Sequence, residues 1–267
     1  MAASFPGSIK TFSTKSDGVD KVYASHVNDI QNEVTAIETE LKKTTGSVVD
    51  HGALTGLGDN DHPQYVYKDG WVPVTGTWTY ASATTIKVPS GAAAIYKVGQ
   101  GLKLNNTDTK YFYIVAVADT LLTITGGSDY TLDSDAISAI SYTNTPGTAI
   151  GFPVWFAWTP SSQTGWTDMP TGVYRFSIAE KTLFFLIDLS DSTSNATTAV
   201  LALPVMPARR FNNVNGFAVD NGTTLTVATR WFVETNGNIY FYTNMSAGVW
   251  TNSGIKRVRT NGFYEIG

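Results

Sequence analysis

All seven tryptophans of this 267-residue chain lie after residue 70, at positions 71, 78, 155, 158, 166, 231 and 250. A packed core needs large apolar side chains, so a globular fold belongs to the part after residue 70 and the first 70 residues do not read as one. Beyond residue 70 the apolar residues come in short runs broken by Gly, Asn, Asp and Ser clusters. That rhythm is the signature of strands and tight turns. The 37 threonines and 24 glycines point the same way, because β-branched residues favour strands and glycine favours turns. The chain is expected to be mainly β.

Composition narrows the function classes. With 15% charged and 42% hydrophobic residues the chain is not a disordered polymer. A net charge of −4 leaves no excess of Lys and Arg to neutralise phosphates, so no nucleic-acid partner is expected. The absence of cysteine excludes a disulfide framework and thiolate metal sites. No run approaches the ~18–20 apolar residues of a membrane span, and residues 1–20 lack the apolar stretch of a signal peptide. The chain is therefore expected to be soluble, not exported, with no membrane insertion.

Within the first 70 residues, Val27, Ile30, Val34, Ile37 and Leu41 recur at spacings of 3, 4, 3 and 4. Ser25 or Asn28 is available to cap the start of such a helix and Gly46 to end it. So narrow a seam suits a coiled coil, whereas a helix lying on its own domain shows a broader stripe. With Val27, Val34 and Leu41 at a, the d positions are Ile30 and Ile37, and β-branched Ile at d disfavours the parallel dimer and shifts preference to trimers or tetramers, of which three strands are expected here. Glu33 and Glu38 would then meet as like charges, so salt bridges do not set this register. The expected element is a short trimeric coiled coil over 23–45.

A Gly- and Asp-rich connector follows over 46–70. His51, Gly52, Leu54, Gly56, Leu57, Asp59, Asp61, His62 and Tyr65 form the pattern His-Gly-x-Leu-x-Gly-Leu-x-Asp-x-Asp-His-x-x-Tyr. This resembles an element of tail-fibre and other structural proteins of tailed bacteriophages, and the seam before it is similar to the coiled coil that commonly precedes the element. The resemblance implies a virion protein, usually a homotrimer, with an N-terminal attachment region and C-terminal β-domains. On that reading residues 1–22 are an extended arm anchored to other virion proteins, with Phe5, Pro6 and Phe12 as its apolar handles.

Two β modules are expected after the connector. Over 71–151, strand-like runs occur at 110–118 and 121–125 with Ala118, Asp119 and Thr120 as the turn. This segment resembles a small all-β module of phage structural proteins at 77–84, 101–104 and 125–132. Over 152–267, runs at 173–178, 183–189, 199–203, 225–233 and 239–243 suggest a β-sandwich of jelly-roll kind. Its stretches at 158–160 and 194–197 and its Leu203-Pro204 step are similar to the C-terminal domain of many phage fibres and head fibres.

The chemistry open to this chain is limited. His26, His51 and His62 are the only histidines, so neither a Ser-His-Asp triad nor a Cys-His pair fits within the β modules of one chain. Asp168, Asp188, Asp191, Asp220 and Glu234 could serve a glycosidase, which needs only two carboxyl groups, but they form no recognisable motif. His51 and His62 lack the His-x-His pattern that phage-fibre resemblance would suggest for an axial metal. Asp59 to Asp61 lacks the Gly and Glu of a calcium loop. The connector residues His51, Asp59, Asp61, His62 and Tyr65 are expected to hydrogen-bond across chains, with no metal and no cofactor. Trp231, Tyr240, Tyr242 and Trp250 are candidate glycan-binding residues, with core packing as the competing reading. Arg209 and Arg210, and Lys256, Arg257 and Arg259, form two basic clusters that would suit an acidic wall polymer or a solvated face. The expectation is a non-enzymatic homotrimeric fibre protein of the virion, assembled in the host cytoplasm, whose C-terminal domain contacts the host surface. A capsid-attached head fibre or decoration protein is the alternative, and a tailspike-like glycanase a more distant one.

Overall fold

The computed structural model describes residues 16, 19, 21–48 (side chains to Thr39), 69–144, 149–214 and 216–267. It is mainly β, with antiparallel pairing throughout its strand ladders. The chain divides into two compact units, residues 1–65 and 66–267. Among the described residues no helix is long and apolar enough to cross a membrane.

In the first unit, α1 spans Ala24–Val48. Neither Ser25 nor Asn28 caps it, because the helix begins one residue before Ser25. Instead the Tyr23 N–H donates to His26 Nδ1 at 3.1 Å, while the His26 N–H donates to the Tyr23 carbonyl at 2.9 Å. The histidine thus takes the place that Glu or Gln holds in a capping box. Gly46 does not end the helix either, which runs two residues further.

The second unit opens with a seven-stranded sheet. Its strands are β1 (Trp71–Pro73), β2 (Thr79–Ser82), β3 (Thr85–Lys87), β4 (Gly101–Asn106), β5 (Asp108–Ala118), β6 (Leu121–Thr125) and β7 (Ser138–Thr143), in the spatial order β1-β7-β4-β5-β6-β3-β2. Strand alternation sends Leu102, Leu104, Phe112, Ile114, Leu122 and Ile124 to one face, where they pack with Trp78, Ile86 and Tyr96. The turn expected at 118–120 is present, and the Asp119 carboxylate accepts the Gly91 N–H at 2.8 Å.

Two further sheets follow. The larger takes β8 (Phe156–Ala157), β10 (Gly172–Ala179), β11 (Thr182–Leu189), β12 (Ser192–Thr193), β15 (Phe217–Asp220), β16 (Thr223–Thr224) and β19 (Ile255–Glu265), ordered β16-β15-β19-β11-β10-β8 with β12 also beside β19. The smaller takes β9 (Gln163–Thr164), β13 (Val200–Ala202), β14 (Phe211–Asn213), β17 (Arg230–Val233) and β18 (Asn238–Tyr242), ordered β14-β17-β18-β13-β9. Their inward residues belong to one core, in which Phe185 of the larger sheet meets Trp231 of the smaller at 5.1 Å between rings.

The boundary expected at 151/152 coincides with the change of sheet, but the parts on either side share a core. While Phe112 and Ile114 of β5 face inward to their own sheet's core, Tyr113 between them faces the other way. Its ring lies 4.9 Å from Phe152 and 5.1 Å from Phe156, and Phe156 stacks on Phe176 at 5.8 Å. Two glycines make the close approach possible. A Cβ on Gly99 would lie 1.9 Å from the Glu180 carbonyl oxygen, and one on Gly127 would lie 1.9 Å from that of Ala157. Only a residue without a side chain fits there.

Candidate functional site

The α1 seam is open. Val27, Ile30, Val34 and Ile37 are each 38–52% exposed, whereas Asp29 and Glu33 on the same helix are buried. Apolar residues at 3–4 spacing form a ridge that another helix can fill. The Leu41 side chain, the connector residues His51, Asp59, Asp61, His62 and Tyr65, and the anchor residues Phe5, Pro6 and Phe12 lie outside the described residues.

The four candidate glycan residues separate into two pairs. Trp231 and Trp250 are 1% and 2% exposed and belong to the core, so neither presents a ring face to a sugar. The reason is parity: in β17 and β18, Trp231, Val233, Ile239 and Phe241 point inward, and the Trp250 Nε1–H closes the same core by donating to the Phe241 carbonyl at 2.8 Å. The other parity puts Tyr240 and Tyr242 on the outer face, stacked on Phe232 at 4.8 and 5.5 Å. The Arg210 guanidinium lies 4.4 Å above the Phe232 ring, and Arg230 lies 5.7 Å from Tyr242. Arg230 also donates to Asn212 Oδ1 at 3.2 Å, and Asn236 donates to the Tyr240 hydroxyl at 3.0 Å. This ladder covers one face of each tyrosine with Phe232.

The two basic clusters are largely neutralised. Arg209 pairs with Glu265, Arg210 with Glu234, Arg257 with Asp191 and Arg259 with Asp188. The same pairs engage three of the five candidate catalytic carboxylates, and a fourth, Asp220, accepts the Thr251 N–H and hydroxyl at 3.0 Å each. Lys256 is not a surface cation. It is fully buried, its ammonium donating to the carbonyls of Gly165, Ala196 and Thr198 at 2.8–2.9 Å, between the rings of Trp166 and Trp250 at 5.5 and 5.3 Å. Burial lowers its pKa to about 8, partly opposed by the nearby Asp220 charge. Among the described residues no three His, Cys, Asp or Glu side chains converge as metal ligands do.

One surface has no counterpart in the sequence-based expectations. Phe184 and Leu186 of β11, Phe217 of β15 and Phe263 of β19 point away from the core, with Trp155 beside them. Val154, Trp155, Phe184, Leu186 and Phe263 line a groove of about 500 Å³. The signal was present in Leu183-Phe-Phe-Leu-Ile187, which is apolar at both parities, as in a strand covered on both faces. No family model, no curated protein and no solved structure matches this chain.

Proposed function

We propose that this chain is a non-enzymatic, homotrimeric fibre protein of a tailed-phage virion. Residues 1–22 are its attachment arm, α1 its three-stranded coiled coil, and residues 152–267 a jelly-roll-like β-sandwich that contacts the host surface. The observation that carries the reading is the open seam of Val27, Ile30, Val34 and Ile37, which nothing among the described residues covers. Most helical stability in proteins comes from packing an apolar face, so such a seam gains stability from partner strands. The connector pattern supports the same assignment, and the engaged carboxylates at 188, 191, 220 and 234 speak for attachment over glycan hydrolysis. Three β units on one stalk would bind the host by avidity from individually weak sites. Within the proposed face of contact, Tyr240 and Tyr242 remain glycan candidates.

The mass of the purified chain in solution tests the stalk: a value near three times 28.8 kDa is expected, falling to that of a single chain when residues 1–65 are deleted. A single-chain mass for the intact protein would refute the trimer. Labelling intact virions with an antibody to the chain separates a tail fibre from a head fibre or decoration protein, since the stalk and β units suit either place.

A further inference from the structure

Strand alternation sends Leu104, Asn106, Lys110 and Phe112 to the inner face of the first sheet. Where β4 turns into β5, that face therefore carries an amide and an ammonium in place of apolar groups. Asn106 is 0% and Lys110 7% exposed, and neither can be left there without partners. Residues 131–136 supply them. The Asn106 Nδ2 donates to the Asp133 and Asp135 carbonyls at 3.2 Å each and to that of Ala136 at 3.5 Å, while its Oδ1 accepts the Asp133 N–H at 2.8 Å. The Lys110 ammonium donates to Asp133 Oδ2 at 2.7 Å and to the Thr131 carbonyl at 2.9 Å, with the Asp108 carboxylate further off at 3.8 Å. These bonds alone satisfy both groups. A further contact is then left over: Lys110 Nζ stands 3.4 Å from Asn106 Oδ1, long for a charge-assisted hydrogen bond. The nitrogen rests against an amide that other partners already hold in a fixed orientation.

Each part that amide exchange needs is present. The Lys110 amine is the nucleophile, and the Asp133 carboxylate is the base that frees its electron pair. The Asp133 N–H is aimed at the oxygen on which negative charge develops, as in an oxyanion hole. Burial holds amine and amide together, which supplies the proximity term. The geometry points to an autocatalytic isopeptide bond between Lys110 Nζ and Asn106 Cγ, formed within the folded chain with loss of ammonia. The step balances without an outside reagent. Asp133 takes one proton from the ammonium, and the freed Nζ pair bonds to Cγ as the carbonyl pair moves onto Oδ1. Collapse of this tetrahedral centre breaks the Cγ–Nδ2 bond, and Asp133 hands its proton to Nδ2, which leaves as ammonia. The second Nζ proton passes through the Asp133 carboxylate, whose side chain is 58% exposed, to water. A secondary amide then ties β4 to β5 across their turn, and nothing is oxidised or reduced. The inference stands apart from the fibre reading, since every group involved belongs to one chain.

Mass spectrometry of the full-length protein tests it. Wild type, kept folded at neutral pH until its mass no longer changes and then denatured, is expected to weigh less than its sequence by one molecule of ammonia. Proteolysis on the amino side of Asp108, which lies between the two residues, should leave the resulting fragments joined. Lys110→Arg keeps the cation without a primary amine, and Asp133→Asn keeps the shape without the base; both should show the full sequence mass and separate fragments. The wild-type mass and the joined fragments decide the matter even where a variant fails to fold. A wild-type mass that stays at the sequence value overturns the inference. So does loss of water with a bond to Asp133, which would make that carboxyl the partner of Lys110 in place of Asn106. Succinimide formation at an Asn-Gly step such as Asn236-Gly237 also expels ammonia, but it persists in Lys110→Arg and leaves the fragments separate, and that result overturns the inference too.

Discussion

Lys256 makes the alkaline stability of this protein run against the ordinary direction. Its folded pKa is lowered to about 8 from 10.5, so between those values the unfolded chain holds more protons than the folded one. Stability must then rise with pH across that interval. A shift of that size corresponds to roughly 3 kcal/mol at full development and about 2–3 kcal/mol by pH 10. Tyr174 and Tyr264 reduce it, because burial raises both and each begins to ionise in the unfolded chain as pH nears 10, which costs about 0.4 kcal/mol apiece by that pH. The expected rise from pH 7.5 to 10 is therefore about 1–2 kcal/mol. Above pH 10 the sign reverses. The pKa of Tyr174 is raised by burial to about 12, and that of Tyr264 is raised as well, so these groups ionise first in the unfolded chain and stability is lost as pH climbs beyond 10. No cysteine competes in the window. Urea unfolding followed by tryptophan fluorescence at half-unit pH steps measures the profile, and all seven reporters lie in the β unit. Lys256→Met should remove the rise and keep the fall. A wild-type profile flat or falling between pH 8 and 10, or a rise that survives Lys256→Met, would refute the buried-ammonium account.

Other outcomes follow from the same contacts. Gly99→Ala and Gly127→Ala each drive a methyl into a carbonyl oxygen at 1.9 Å on a backbone of positive φ, and each should cost about 3 kcal/mol or more in calorimetry. Phe156→Ala removes the ring that Tyr113 and Phe176 share, and a loss of about 3–5 kcal/mol with one cooperative transition is expected; two separated transitions in wild type would show the modules to be independent. Ile30→Lys with Ile37→Lys should abolish the trimer while leaving the β unit's fluorescence unchanged, as read by light scattering and emission spectra. Tyr174→Phe forfeits the hydroxyl's bond to the Pro170 carbonyl at 2.6 Å, a change of about 1 kcal/mol by urea unfolding.

Features set by local pattern were legible in the sequence. The 3–4 spacing of Val27 to Ile37 marked α1, and the runs at 173–178, 183–189 and 239–243 fall on β10, β11 and β18. The run at 225–233 did not hold as one strand. The Leu225 N–H donates to the Ala218 carbonyl, beside the larger sheet, while the strand of the smaller sheet begins only at Arg230. A crossing between sheets is a tertiary event that alternation along the chain does not encode. β19 escaped for a different reason. Its inward residues are Lys256, Val258, Thr260, Gly262 and Tyr264, so a polar-versus-apolar reading sees a basic surface cluster. Lysine is tolerated there because distant carbonyls satisfy it, and glycine is needed because a Cβ at 262 would strike Trp231 at 2.3 Å. Neither fact is local. The candidate site shows the same division: sequence supplied the aromatic residues, but only strand parity decides that Trp231 faces in while Tyr240 and Tyr242 face out, and Trp250, outside any strand, turns in to donate to the Phe241 carbonyl.

The place of β19 also bears on how the β unit folds. It lies between β11 and β15, yet residues 190–254 separate it from β11 along the chain, so the middle of the larger sheet forms only by joining distant segments. Closing a loop of that length precedes the pairing that rewards it, which sets such a topology among slow folders, on the order of milliseconds to seconds. Until β19 docks, β11 and β15 present open edges, and neither Lys256 nor Tyr264 has its buried surroundings. Open edges invite pairing with other chains, so strand order alone sets an interval in which aggregation competes with folding.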